Sequence, residues 1–183
     1  MIDTHVHLDD ARYSDADRKE LLENLERDGL TAVVNAACDL ETMRAGARLA
    51  DGFDRVFFTV GCHPHAAKSF DEAFEREIVR LAQNPKAVAM GEIGLDYHYD
   101  LSDREIQKKV FSRQLSLAKE LGLPVVVHTR DAWRDTLEIL EKQGSFPDGL
   151  LLHCFSGSKE ICKILSDKYD AHFAFGGAIT FKN

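Results

Sequence analysis

Seven short apolar, β-rich runs recur along the chain, at residues 2–7, 31–36, 56–60, 87–93, 123–129, 150–154 and 172–175. Most are too continuously apolar for a sheet with one wet face, which predicts parallel strands buried on both faces. Amphipathic segments with helix-start and helix-stop residues lie between them. Residues 102–121 open on SDRE, read as a capping box of Ser102 with Glu105. They carry Val110, Phe111, Leu115, Ala118 and Leu121 at helical spacing and close on Gly122 and Pro124. Residues 14–28 repeat the pattern with Leu21, Leu22 and Leu25 and end at Gly29, and Trp133, Leu137 and Leu140 form a third stripe before Gly144. Trp133 is read as core packing. Strand and helix thus alternate in units of about 25 to 35 residues, the size of repeated β-α-β crossovers. Two folds fit that rhythm: a doubly wound open sheet or a (β/α) barrel.

Polar residues decide between them. His5 and His7 end the first run, His63 and His65 follow the third in GCHPH, and Glu92 ends the fourth. His128 ends the fifth and His153 the sixth. All stand at the C-terminal ends of their strands. In a barrel those ends meet at one mouth, whereas an open sheet spreads them along an edge. The barrel is therefore the expected fold. In an extended strand positions i and i+2 share a face, so Asp3, His5 and His7 should project together. Three titratable groups on one face are costly to bury unless something binds them, and a metal ion is the simplest candidate.

Neutral imidazoles with a carboxylate suit zinc, manganese or iron, and tolerate magnesium where water fills open positions. A carboxylate can bridge two cations about 3.5 to 4 Å apart. His5 and His7 are assigned to one cation, His128 and His153 to the other, and Glu92 between them. No G-x-S-x-G elbow or phosphate-binding G-x-x-x-x-G-K-[ST] loop occurs, and Cys62 and Cys154, each beside a histidine, are read as small packing residues. The chemistry that remains is metal-assisted hydrolysis.

Composition narrows the class further. The 183 residues are 44% hydrophobic and 30% charged, which fits one soluble domain with a sizeable core and neither a disordered chain nor a membrane protein. No linker or repeat divides it. No apolar run nears the roughly 20 residues of a membrane helix, and the N-terminus lacks a secretion-signal pattern. Cys38, Cys62, Cys154 and Cys162 form no C-x-x-C pair, so reduced thiols and a cytoplasmic location are expected. The net charge of −8 argues against a broad electrostatic grip on nucleic acid, while leaving room for a local phosphate site built on divalent cations.

Taken together, DTHVHLDD, VGCHPH, GEIGLDY, PVVVHTRDA, LHCFSG and FGGAITFKN resemble the TatD-type metal-dependent deoxyribonucleases of the amidohydrolase-like barrel superfamily. The resemblance implies a TIM (β/α)8-type barrel and two divalent cations (Mg, Mn or Zn) held by His5, His7, Glu92, His128 and His153. It also implies hydrolysis of phosphodiester bonds, commonly as an exonuclease on DNA, with single strands or strand ends as substrate and no obligate protein partner. His63 and His65 would then lie near the scissile phosphate as proton carriers or phosphate contacts, beside the catalytic Glu92. Arg130 could pair with a phosphate oxygen or, equally, with Asp131. Asp96, in GLDYHYD, is read as either a loop cap or, in preference, a support for a ligand histidine. His98 and His172 are read as ordinary residues. Family members continue past the seventh strand and supply a further metal-binding aspartate, and barrels of this type run to about 250 residues. Residues 1–183 are accordingly read as a single barrel domain without the closing β-α portion, with edges open to pairing, weakened metal binding and impaired activity. Two other readings stand beside the nuclease: a barrel hydrolase of a small ester, lactone or amide, and an inactive binding module.

Overall fold

Parallel strands can pair only through crossover connections, and the helical segments supply them. The computed structural model describes residues 1–180. In chain order the elements are β1 (Ile2–Val6), α1 (Asp15–Glu23), β2 (Ala32–Asn35), α2 (Leu40–Gly52), β3 (Val56–Val60), a 3₁₀ turn (Pro64–Ser69), α3 (Glu72–Leu81) and β4 (Ala87–Asp96). Then follow α4 (Arg104–Leu121), β5 (Val125–Arg130), α5 (Trp133–Gln143), β6 (Leu150–Leu152), α6 (Lys159–Tyr169) and β7 (His172–Phe173). A second short 3₁₀ turn spans Gly177–Thr180. The last residues of the FGGAITFKN stretch lie outside the described residues.

All neighbouring strands are parallel and stand in the order β1-β2-β3-β4-β5-β6-β7. A doubly wound sheet requires a reversal of strand order, and this sheet has none. It curls instead, far enough for the His5 ring beyond the middle of β1 to stack on the His153 ring after β6, with centroids 3.3 Å apart. This is the barrel-type architecture expected from the strand-end histidines. The helices cover the outer face of the sheet, and Phe58, Phe74, Phe111, Leu115 and Leu140 are fully buried between the layers. Trp133 packs edge-on against Phe155 at 5.2 Å, as a core residue should.

Three local features depart from the sequence reading. Helix α4 is capped by Asp103, whose Oδ1 accepts from Glu105 N at 2.9 Å and Ile106 N at 3.3 Å. Ser102 is drawn away because its hydroxyl donates to His65 O at 2.9 Å and accepts from Lys68 N at 3.1 Å. Helix α1 ends at Glu23, short of Asp28, where the Asn24 side chain competes for the Glu20 carbonyl at 2.7 Å. Finally β4 runs on to Asp96, paired through Gly94, Leu95 and Asp96 with His128, Thr129 and Arg130 of β5. The last of these places Asp96 in the sheet, beside His128. The four cysteines are free thiols, Cys62 buried in the core and Cys154 exposed. Among the described residues no helix is long and apolar enough to cross a membrane.

Candidate metal centre

Glu92 lies midway along β4 rather than at its end, because the strand continues to Asp96, and it is 4% exposed. Its two carboxylate oxygens face different partners: Oε2 lies 3.3 Å from His5 Nε2, and Oε1 lies 3.0 Å from His128 Nδ1. His7 Nε2 is 3.2 Å from His5 Nε2, so His5, His7 and Glu92 each bring one donor atom within 4.8 Å of the others. His63, Glu92 and His128 form a second such group. His153 stands at the border of both, with Nε2 3.8 Å from Glu92 Oε1 and its ring against His5. Each of the five residues assigned to metal from the sequence therefore reaches this cluster, and His63 enters it too. Asp3 does not. The β1-β2 register slips between Asp3 and Val6, which breaks the alternation, and Asp3 turns outward with Oδ1 accepting from His5 N at 3.1 Å.

The charge balance of the cluster fits a cation. Among the described residues every ion-pair partner of Glu92 is a histidine. Burial works against the Glu92 carboxylate, yet the hydrogen bonds with His128 and His5 prevail and hold its carboxyl well below the usual range. Burial drives His63 down to about 3 and His153 down to about 4, so both imidazoles are neutral near pH 7 and keep a lone pair to share. His5 and His153 both turn Nε2 toward Glu92, which places the donor atom of each ring at the cluster. Neutral imidazole and carboxylate donors are the chemistry of a divalent transition-metal or magnesium site.

Asp96, 1% exposed, supports the second group. Its Oδ2 lies 2.9 Å from His128 Nε2 and 3.1 Å from His65 Nε2, while Oδ1 accepts from His98 N and Tyr99 N at 3.0 and 2.9 Å. Against burial, these contacts bring its carboxyl down to about 2. The His128 ring is thus held between two carboxylates, Nε2 toward Asp96 and Nδ1 toward Glu92, an arrangement that fixes its orientation. Burial pulls His128 toward the neutral form, but Glu92 and then Asp96 outweigh it and raise its pKa. His65 thus sits on the outer side of Asp96, edge-on to His63 at 4.3 Å. Arg130 pairs with neither a carboxylate nor Asp131 among the described residues. Its guanidinium lies 4.8 Å from the centroid of the Tyr99 ring, and Asp131 faces His98 Nδ1 at 3.3 Å.

Three side chains that hold this site, Gln107, Gln114 and Asn35, carry no sequence signal of their own. Gln114 of α4 grips the backbone of Cys62, accepting from its N–H at 2.7 Å and donating to its carbonyl at 3.0 Å. Gln107, two turns earlier, does the same for Asp96, accepting at 2.9 Å and donating at 3.1 Å. Both amides are fully buried. They stand within the apolar stripe of α4, where burial without a partner would be costly. On β2, Asn35 plays the same part, accepting from Leu8 N at 2.7 Å and donating to Asp9 Oδ1 at 2.8 Å, which fixes the segment after His7. Gln114→Leu should destabilise the fold by about 1–3 kcal/mol for each backbone group it leaves unpaired. A urea titration measures this, and an unchanged midpoint would show that the grip on Cys62 contributes nothing.

A barrel-type parallel sheet that gathers histidines around one buried carboxylate defines a metal-dependent hydrolase of the TIM-barrel class. The chain belongs to the TatD-related DNase family, whose pattern matches residues 2–183. It is 37% identical over 183 residues to a Bacillus subtilis protein described as an uncharacterized metal-dependent hydrolase, YabD, covering all of this chain and 71% of that one. It is 32% identical over 160 residues to the Escherichia fergusonii 3'-5' ssDNA/RNA exonuclease TatD, covering 87% of this chain and 61% of that protein. The crystal structure of YJJV, a TatD homolog from Escherichia coli K12, superposes with a TM-score of 0.89 at 27% identity, over 98% of this chain and 69% of that one. The chain therefore spans about two thirds of the length of these relatives.

Proposed function

We propose that the protein hydrolyses phosphodiester bonds of nucleic acid, DNA foremost, working from a strand end at the centre around Glu92. The observation that carries this reading is the division of one carboxylate between two donor groups, Oε2 toward His5 and Oε1 toward His128. When bound there, a pair of divalent cations (Mg, Mn or Zn) supplies Lewis acidity toward phosphoryl oxygens and lowers the pKa of water. His5 and His7 would hold one cation; His63 and His128, with His153 alongside, would hold the other.

The remaining residues orient the substrate and its protons. Asp96 holds the His128 ring in place through Nε2. His63, neutral and 7% exposed, serves as an electron-pair donor, which leaves His65 to carry a proton to the departing oxygen. Arg130, free of ion pairs among the described residues, offers its donors to a phosphate. The net charge of −8 disfavours a wide electrostatic groove and suits a substrate that enters by its end. Support for nucleic acid over other esters comes from the relatives described as ssDNA/RNA exonucleases.

Digestion of end-labelled single-stranded DNA and RNA with magnesium or manganese tests the reading. Stepwise shortening is expected, with a loss of at least about 100-fold on chelation, since the cations contribute several kcal/mol of charge stabilisation. Absence of shortening, with metal-dependent cleavage of a lactone or carboxylic ester instead, would move the enzyme to carbonyl chemistry.

A further inference from the structure

The rim beyond His65 carries an aromatic residue that the metal centre does not use. Tyr99 is 54% exposed, yet its loop is firmly held. Its N–H donates to Asp96 Oδ1 at 2.9 Å, Arg104 Nε donates to both carboxylate oxygens of Asp100 at 3.0 Å, and the Ser102 hydroxyl ties the loop to His65 O. The Tyr99 ring meets the His65 ring at 5.4 Å and 88° and carries the Arg130 guanidinium at 4.8 Å from its centroid. His65 in turn lies 4.3 Å from His63 and 6.4 Å from His128, centroid to centroid. A single histidine thus separates an exposed, immobilised π-cation layer from the second donor group.

We infer that Tyr99 and Arg130 form the layer on which the nucleobase beside the scissile phosphodiester stacks. This rests on the nuclease reading above and names the part of the substrate that the rim recognises. Stacking on an aromatic face is tolerant of sequence because every base has a π-face, and a guanidinium adds cation–π attraction. With a net charge of −8 the chain has little broad phosphate attraction to offer, so a contact of this kind adds affinity beyond the phosphate held at the metal centre. The layer takes an unpaired base, since a base within a duplex is already stacked on its neighbours. Single strands and frayed ends are its substrates, with little preference among the four bases.

The test compares the wild type, Tyr99→Ala and Tyr99→Trp on two single-stranded oligonucleotides, one with a natural terminal nucleotide and one abasic there. On the natural end Tyr99→Ala should raise KM by about 5- to 150-fold, the range of one base–aromatic stack, with kcat nearly unchanged and Tyr99→Trp close to wild type. On the abasic end the three proteins should be alike. Equal losses on both ends, or no loss on either, would overturn the stacking role while the wild type's metal-dependent cutting keeps the nuclease reading intact. Failure of the wild type to cut either oligonucleotide would overturn that reading, and the stacking role with it.

Discussion

Glu92→Gln should lower metal-dependent hydrolysis by about 10³-fold or more, because the variant forfeits several kcal/mol of charge stabilisation and each 1.36 kcal/mol is worth tenfold. The amide keeps the size and shape of the side chain but loses the charge and one of the two acceptor oxygens. Those oxygens separately face His5 at 3.3 Å and His128 at 3.0 Å, so no rotation of the amide can serve both groups as the carboxylate does. Elemental analysis of the purified variant should show fewer ions per chain than the wild type, while circular dichroism shows an unchanged fold. Wild-type turnover in Glu92→Gln would refute the bridging role outright. His5→Ala should also cost metal, but from the first group alone, since His5 and His7 share no donor set with His63.

The largest effect on stability is expected at Gly94. Its φ is +146°, and an added Cβ would come within 1.9 Å of His128 O and 2.9 Å of His128 C. Both obstacles are backbone atoms of the paired strand β5, so no side-chain rearrangement relieves them. Gly94→Ala must push β4 from β5 where the two strands present Glu92 and His128, and a cost of about 3–5 kcal/mol is expected. Gly122 provides the control. It too has positive φ, at +65°, but an added Cβ there meets nothing within 4 Å, so Gly122→Ala should cost only the left-handed strain of about 1–2 kcal/mol. Urea unfolding of the two variants separates steric conflict from conformational strain; equal midpoint shifts would show that the close approach of β4 and β5 is not what Gly94 serves.

Much of the architecture was legible because it is periodic. Continuous apolar runs mark strands buried on both faces, and stripes such as Val110, Phe111 and Leu115 mark the helices that cover them. The N-cap of α4 was misplaced by one residue, since Ser102 and Asp103 are both good caps locally and the choice was made by a distant partner, the His65 carbonyl. The same holds for Gln107 and Gln114, whose roles depend on which backbone segments α4 happens to cross. The outward turn of Asp3 depends on a slip of register in β1, which no alternation rule anticipates.

From the sequence alone followed the alternation of strand and helix and the placing of histidines at strand ends, because periodicity and side-chain chemistry are properties of neighbouring residues. Which donors share a point in space was settled only in three dimensions. Curling of the sheet lays His153 on His5, and the pairing of β4 with β5 brings Asp96 against His128 Nε2. The approach of the β3 end to Glu92 brings His63 into the second group. Distances between residues far apart in the chain are set by the curvature of the whole sheet, a quantity no single segment carries.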